Sequence, residues 1–256
     1  MKSTISKAVC AALFLLPTIA SAAEVQGGKK QTLIDVYKEG GWVMHLLLAC
    51  SIAMVWLIID ISLRTTRKRM TPPSDVASAR QAFLAGDYVG AYQAMKAGTS
   101  PFCEVVRGAL GSVGHGKDAT EEAIYVTVEK INSTLQTRIN YLSVIGVCAP
   151  MIGLLGTVGG MKGAFGALGT TGADVGGLAA HIGEVLVATA TGLLVAIPAF
   201  GAFYFLRNKL QGAVHNLQDE AERLFRNAPY EYLQNADVGQ EETFAALPNW
   251  IESPEG

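Results

Sequence analysis

Three stretches of the chain read as almost continuously apolar: Gly41 to Leu63, Tyr141 to Leu168 and Leu178 to Leu206. Each meets the length of about 20 residues that a helix needs to cross the hydrocarbon core of a bilayer. Lipid offers a backbone no hydrogen-bond partner, so each stretch predicts a membrane-spanning α-helix. Between the first two lie about 75 residues punctuated by helix boundaries: Pro72 and Pro73 before Ser74, Gly86 with Asp87, Gly98 through Pro101, and Gly114 with Gly116. Short helices are expected to fill the intervals. From Ala119 onward no proline occurs until Pro150, while Ile124, Val128, Ile131, Leu135 and Leu142 keep a helical spacing. One helix of roughly 50 residues, about 75 Å at the standard rise, is expected to run from outside the bilayer into the second span. Behind the last span, Leu210, Val214, Leu217, Ala221 and Leu224 alternate four and three residues apart, a seam on an otherwise charged helix. The pattern predicts an all-α integral membrane protein whose long helices continue into the cytoplasm.

Charge orients these elements. Arg64, Arg67, Lys68 and Arg69 follow the first span, and Arg207 and Lys209 follow the third, whereas the link Gly169 to Gly177 holds Asp174 and neither Lys nor Arg. By the positive-inside rule the N-terminus lies outside and the C-terminus in the cytoplasm. Lys2 and Lys7, the apolar run Ala8 to Leu16 and the small residues Ala20 to Ala23 predict a secretory signal cleaved after Ala22 or Ala23. The expected order is a signal peptide at 1–22, an outer segment at 23–40, a span at 41–63, a cytoplasmic helical domain at 64–140 and a second span at 141–168. An outer loop at 169–177, a third span at 178–206, a cytoplasmic helix at 207–227 and a tail at 228–256 complete it. That tail has six acidic residues, no Lys or Arg, and three prolines, a composition that predicts disorder.

Half of the 256 residues are hydrophobic and only 16 % are charged, which agrees with a membrane protein. A net charge of −2, with no basic stripe interleaved with aromatics, excludes nucleic-acid binding. Cys10 falls in the signal, Cys50 and Cys148 in spans and Cys103 in the cytoplasmic segment, so no pair shares an oxidising compartment and no disulfide is expected. Without CxxC or clustered histidines, no metal or other cofactor is implied. Asp60 and Arg64, one turn apart, predict an ion pair at the membrane surface.

The chemistry lies in polar residues placed inside apolar helices. Thr157 sits near the middle of the second span; Thr189 and Thr191 sit at similar depth in the third, with Glu184 nearer its outer end. A carboxyl inside a span is expensive unless it faces protein or water, so Glu184 points to an ion pathway. The plainer alternative is a carboxylate at the start of a helix, and a threonine can bond the carbonyl one turn back with no further role. Glu184, Ala188, Thr191, Val195 and Pro198 share a helix face, with Thr189 about 140° away from Glu184. One face then suits a lumen and the other a neighbouring helix. His181 and Glu184 lie one turn apart, but a third metal ligand is missing. Pro150 and Pro198 each remove one backbone hydrogen bond within a span, permitting a kink or freeing a carbonyl. Gly153, Gly156 and Gly160, with Gly146, Gly159, Gly163 and Gly166 in the same span and Gly192 in the next, fit close helix packing. They do not fit a phosphate loop, which needs a preceding strand and a following Lys-Ser/Thr pair.

The run Ala149-Pro150-Met151-Ile152-Gly153-Leu154-Leu155-Gly156-Thr157-Val158, followed by Gly160-Met161 and Ala164-Phe165, resembles the second-span signature of the MotA/TolQ/ExbB proton-channel family. Ile182 to Leu193, followed by Ala196-Ile197-Pro198-Ala199, resembles its third-span signature. Three spans and a short outer link are more like ExbB or TolQ than the four-span MotA. The resemblance implies a pentameric ring in the inner membrane, with its second and third spans lining a pore. It also implies an ExbD-like single-span partner bearing a membrane aspartate, and a TonB-like energy transducer acting on the outer membrane. Positions matching Thr157, Glu184 and Thr189 are implicated there in ion passage or its coupling to motion. Two departures stand out: Gly159 replaces a residue that is often bulky, and Lys162 places a cation five residues beyond Thr157.

Three readings follow. The leading one is an ExbB-like subunit of an ion-driven energy-transducing complex, with a TolQ-like subunit of a Tol-Pal-type envelope system as its variant. The second is a non-conducting scaffold in which the glycines serve assembly alone. An intramembrane enzyme is the weakest, because HExxH, paired membrane aspartates and a serine nucleophile with a base are all missing.

Overall fold

In the computed structural model, residues 41–171, 175–234, 236, 238 and 239 are described; within the helices, the side chains of 167–171, 175–181 and 184 lie outside that set. The expected signal peptide, the outer N-terminal segment and the tail beyond residue 239 fall outside the described residues. The fold among those described is all-helical, with three helices long and apolar enough to cross a membrane. They are α1 (Val43–Arg64), α6 (Lys117–Thr171) and α7 (Val175–Phe225). Four shorter helices separate α1 from α6: α2 (Arg67–Met70), α3 (Pro73–Leu84), α4 (Tyr88–Ala97) and α5 (Pro101–Ser112). A 3-10 turn at Val113–His115 follows them.

Local chemistry sets these boundaries. Pro73 and Pro101 occupy first-turn positions, where the missing N–H costs nothing. Asp87 caps α4 by accepting from the Gly90 N–H at 2.7 Å, and Ser100 caps α5 by accepting from the Cys103 N–H at 3.3 Å. Gly86 and Gly116, at φ 71° and 99°, make the tight turns before α4 and α6 that a side chain would resist.

The chain divides into two compact units. One comprises Met1–Thr66 and Asn132–Gly212, and the other Arg67–Ile131 and Ala213–Gly256. In the first, Val43, Met44, Leu47 and Met54 of α1 bury themselves against Ala149 of α6 and Val195, Ala196 and Ala199 of α7. Many large apolar side chains of the three helices are exposed, among them Trp56, Met151, Leu154, Phe165, Ile197 and Phe205. In water such a surface would be untenable, whereas lipid or neighbouring helices accommodate it.

In the second unit α5 is the central element, burying Phe102, Val105, Val106, Ala109 and Leu110. At its start Ser100 and Cys103 both donate to the carboxylate of Asp75 on α3, at 2.7 and 3.3 Å. Partial burial pushes the Asp75 carboxyl up, but hydrogen bonds from Ser100, Cys103 and Ser74 outweigh it and leave it below the ordinary value. Burial raises the Cys103 thiol, and the neighbouring carboxylate raises it further. Phe83 meets Tyr88 and Phe225 edge to face, at 5.2 and 5.0 Å between ring centres.

The seam behind the third span keeps a straight-helix period. Leu210, Leu217 and Ala221 are buried as expected, but Ala213 and Phe225 replace Val214 and Leu224 as its innermost members. The buried positions lie three, four, four and four residues apart, a longer repeat than the 3.5 residues of a strict heptad. Residues 228–234 make a series of turns within a segment whose composition predicts disorder. Tyr230 donates its hydroxyl to the Phe225 carbonyl at 2.9 Å, Val238 is buried, and the Ala236 backbone lies against Gly114. Burial raises the Tyr230 phenol, with Glu121 adding to the effect. Aromatic and apolar anchors here outweigh the acidic composition.

Because the folded Asp75 carboxyl titrates below its unfolded value near 4, its stabilisation is complete above that value and disappears as pH falls through the folded one. The apparent melting temperature of the Asp75→Asn variant should therefore fall less than that of the wild type on acidification below about pH 4.

Candidate functional site

The second and third spans meet backbone to backbone. A Cβ added to Gly153 of α6 would stand 2.9 Å from the Ala188 carbonyl oxygen and 3.2 Å from the Cα of Thr189 on α7. A Cβ added to Gly192 of α7 would stand 2.7 Å from the Ala149 carbonyl oxygen and 3.3 Å from the Cα of Pro150. Gly156 continues the contact, since its Cβ would lie 2.9 Å from that of Ala188 and 3.4 Å from Val43 of α1. Only glycine permits this approach, which replaces side-chain interdigitation with direct backbone packing. Both prolines lie inside unbroken helices, Pro150 in α6 at the crossing and Pro198 in α7. Gly160 is helical and half-buried, whereas Gly159 has open space beside it. Gly146 packs on the Phe200 ring.

The structure therefore brings Gly153, Gly156, Gly192, Pro150 and Thr189 together around Ala188. The threonine hydroxyls all turn back onto their own helices: Thr157 donates to the Leu154 carbonyl at 2.7 Å, Thr189 to Val185 at 3.2 Å and Thr191 to Val187 at 2.8 Å. Each hydroxyl oxygen keeps lone pairs that can accept from water or a passing donor. Ala188 and Val195, on the helix face that also carries residues 184 and 191, are buried. That face of α7 is turned toward the chain's own helices. Glu184 stands one turn from Ala188 along this face; its side chain is outside the described residues. Lys162 is exposed.

A second polar group, at the other end of the first span, has no counterpart in the apolar pattern. Arg64 Nε donates to both carboxylate oxygens of Asp60, at 2.8 and 2.9 Å, which realises the expected ion pair. Arg138 of α6 approaches the same carboxylate at 3.5 Å. Lys209 of α7 donates to the Ser62 carbonyl at 3.0 Å, where the Thr66 hydroxyl also donates at 2.8 Å. A cation at a helix C-terminus satisfies an orphan carbonyl and opposes the negative end of the helix dipole. Sequence reasoning missed Arg138 and Lys209, because they lie 78 and 147 residues from their partners.

A profile of the MotA/TolQ/ExbB proton channel family matches residues 93–219, which include the end of α4, all of α5 and α6, and α7 as far as Asp219. Biopolymer transport protein ExbB of Xanthomonas campestris pv. campestris, strain B100, is 30 % identical over 230 residues, covering 78 % of this chain and 90 % of that protein. The protein of the same name from strain ATCC 33913 gives the same values. The chain belongs to the MotA/TolQ/ExbB proton channel family. The matched residues include both halves of the crossing described above. Membership and three apolar helices together make this ExbB-like chain a multi-pass membrane protein.

Two substitutions test the geometry. Gly192→Val should cost at least about 1–3 kcal/mol by overpacking a backbone contact. It should lower the thermal midpoint of the detergent-solubilised protein or prevent its accumulation, while Gly201→Ala, which has open space around it, should change little. Lys209→Met should cost about 1 kcal/mol through loss of the cap on α1, with Arg207→Met, an exposed control, near zero in the same assay.

Proposed function

We propose that the chain is an inner-membrane, ExbB-like subunit of a complex driven by the proton-motive force, its N-terminus in the periplasm. Five copies form a ring around an ExbD-like single-span subunit, and a TonB-like protein carries the resulting motion to outer-membrane import. The observation that carries this reading is the backbone crossing of α6 and α7. That crossing lies within the two segments that resemble the family signature, which supports a role in ion passage for Thr189 and Glu184 there. The uncovered apolar faces of the spans supply surface for neighbouring copies and for lipid.

In this mechanism a proton passes between the ring and a carboxylate of the partner subunit. Each charge crossing 100 mV releases about 2.3 kcal/mol, which drives relative motion of ring and partner. Glu184, near the outer end of its span, gathers the cation. Thr157, Thr189 and Thr191 keep their protons engaged on backbone carbonyls and offer their oxygens as acceptors, a fixed orientation that aligns water. Pro150 frees the Gly146 carbonyl from its helical partner, giving a further acceptor within the second span.

The same three threonine hydrogen bonds also favour a second reading, a non-conducting scaffold whose hydroxyls serve only their own helices. A Tol-Pal-type role shares the first mechanism and differs in the third protein engaged.

Native mass spectrometry of the complex extracted from its own cells separates these readings. Five copies carrying a small single-span subunit are expected; a homo-oligomer without one would favour the scaffold. In ion-flux assays, Glu184→Ala and Thr157→Val should each lower the flux while leaving the amount of assembled complex unchanged. A silent Glu184→Ala would sink the conduction role, and loss of assembly would assign these residues to packing.

A further inference from the structure

The charged cluster at the C-terminal end of α1 gathers more cations than its one carboxylate can balance. Asp60 receives Arg64 from its own helix and Arg138 from α6, and among the described residues neither guanidinium pairs with another carboxylate. Lys209 of α7 adds a third cation, because its ammonium rests on neutral acceptors, the Ser62 carbonyl and hydroxyl, at 3.0 and 3.4 Å. A guanidinium carries five N–H groups in a planar fork. Arg64 meets Asp60 through Nε and Arg138 meets it through Nη1. The remaining donors belong to side chains that are 46 % and 43 % exposed, held next to one another by the carboxylate they share. Two such forks make a cradle for a tetrahedral oxyanion.

The level of this cradle in the membrane names the anion. Asp60 and Arg64 bracket the end of the first apolar stretch, and Arg138 stands just before Tyr141, where the second begins. That boundary is the headgroup layer, where basic groups between spans meet lipid phosphates. Apolar surface continues from it toward the hydrocarbon. Trp56 precedes Asp60 by one turn on the same stripe of α1, about 6 Å along the axis, and is 64 % exposed. Tyr141 of α6 is 56 % exposed. A phosphate on the two arginines places its acyl chains at the depth of these rings, an amphipathic fit that a free phosphate ion does not need.

We propose that the membrane unit binds an anionic phospholipid here, with the phosphate held by Arg64 and Arg138 and an acyl chain lying along Trp56. Asp60 has two opposed effects on this ligand. It holds the arginines together, and its own charge repels the phosphate. Each uncompensated positive charge at a membrane surface favours an anionic over a zwitterionic headgroup by about fivefold. The bound lipid ties α1 to α6 through donors that Asp60 leaves free. This inference concerns the membrane unit alone and stands independently of the ion pathway.

Trp56 reports on the site. Trp42→Phe with Trp250→Phe leaves it the sole tryptophan of the full-length protein. The protein is placed in nanodiscs of phosphatidylethanolamine with a minority of phosphatidylglycerol, and the acyl chains of one lipid or the other carry bromine. Quenching of Trp56 should show phosphatidylglycerol enriched at least about fivefold over its bulk fraction. Arg64→Gln with Arg138→Gln should return it to the bulk fraction, whereas Arg64→Lys with Arg138→Lys, which keeps the charge, should retain most of the enrichment. Asp60→Asn should raise the enrichment about fivefold further, the opposite of what the loss of a purely structural ion pair predicts. Equal enrichment of the two lipids would overturn the proposal by reducing the site to ordinary boundary lipid. Weak quenching by both would do the same, because a second copy or a partner chain then covers Trp56. The proposal also fails if Asp60→Asn leaves the enrichment unchanged or lowers it, or if excess inorganic phosphate abolishes it and so makes the ligand a free anion.

Discussion

The contact of α6 with α7 at Gly153 and Gly192 is the constraint on which the membrane unit depends. In hydrocarbon, helices gain nothing by hiding apolar side chains from one another, since lipid is equally apolar. What holds them is proximity, and here main chain faces main chain with no Cβ between. Val43 reaches into the same contact beside Gly156, so the first span takes its position from the other two. The threonines inherit their placement from this crossing.

A different kind of force operates at the C-terminal end of α1. There the spans are joined by charge, through Arg138 onto Asp60 and Lys209 onto the Ser62 carbonyl. Ion pairs near a water interface are individually weak. Their value lies in direction, because a carboxylate and a carbonyl accept only from donors at one height and one angle, whereas apolar packing tolerates sliding. Small residues set the distance between helices, and polar ends set their axial register.

Much of this was legible from residue order alone. The three apolar helices follow from length and composition, and the helix boundaries at Pro73, Asp87, Ser100 and Pro101 follow from capping chemistry that acts within four residues. The Asp60–Arg64 pair is equally local. Long-range pairings were not legible: nothing in the neighbourhood of Ser62 announces Lys209, and Asp60 gives no sign of Arg138. The seam of α7 was misplaced at two positions because a strict heptad repeats faster than the stripe this helix buries. The turns after Ala228 were missed because composition averages over a segment in which a few anchors, Tyr230 and Val238 above all, decide the outcome. For Thr157, Thr189 and Thr191, residue order gave depth but not the direction of the hydroxyl, which depends on a single side-chain torsion. Glu184 is legible only as a helix position.

The cap on the first span has a consequence for biosynthesis. Lys209 is made 147 residues after Ser62, and Ala149, Val195, Ala196 and Ala199, on which α1 packs, also come far behind it. At synthesis rates of about 5–20 residues per second, the first span waits roughly 7–30 s before its last partner exists. During that interval lipid covers the surfaces of Val43, Leu47 and Met54, and interfacial water serves the carbonyl end of α1. Folding of the membrane unit is thus a late exchange in which the third span displaces lipid and water from a helix already inserted. A first span sufficiently apolar to persist alone, with Asp60 as its sole charge before Arg64, suits that wait.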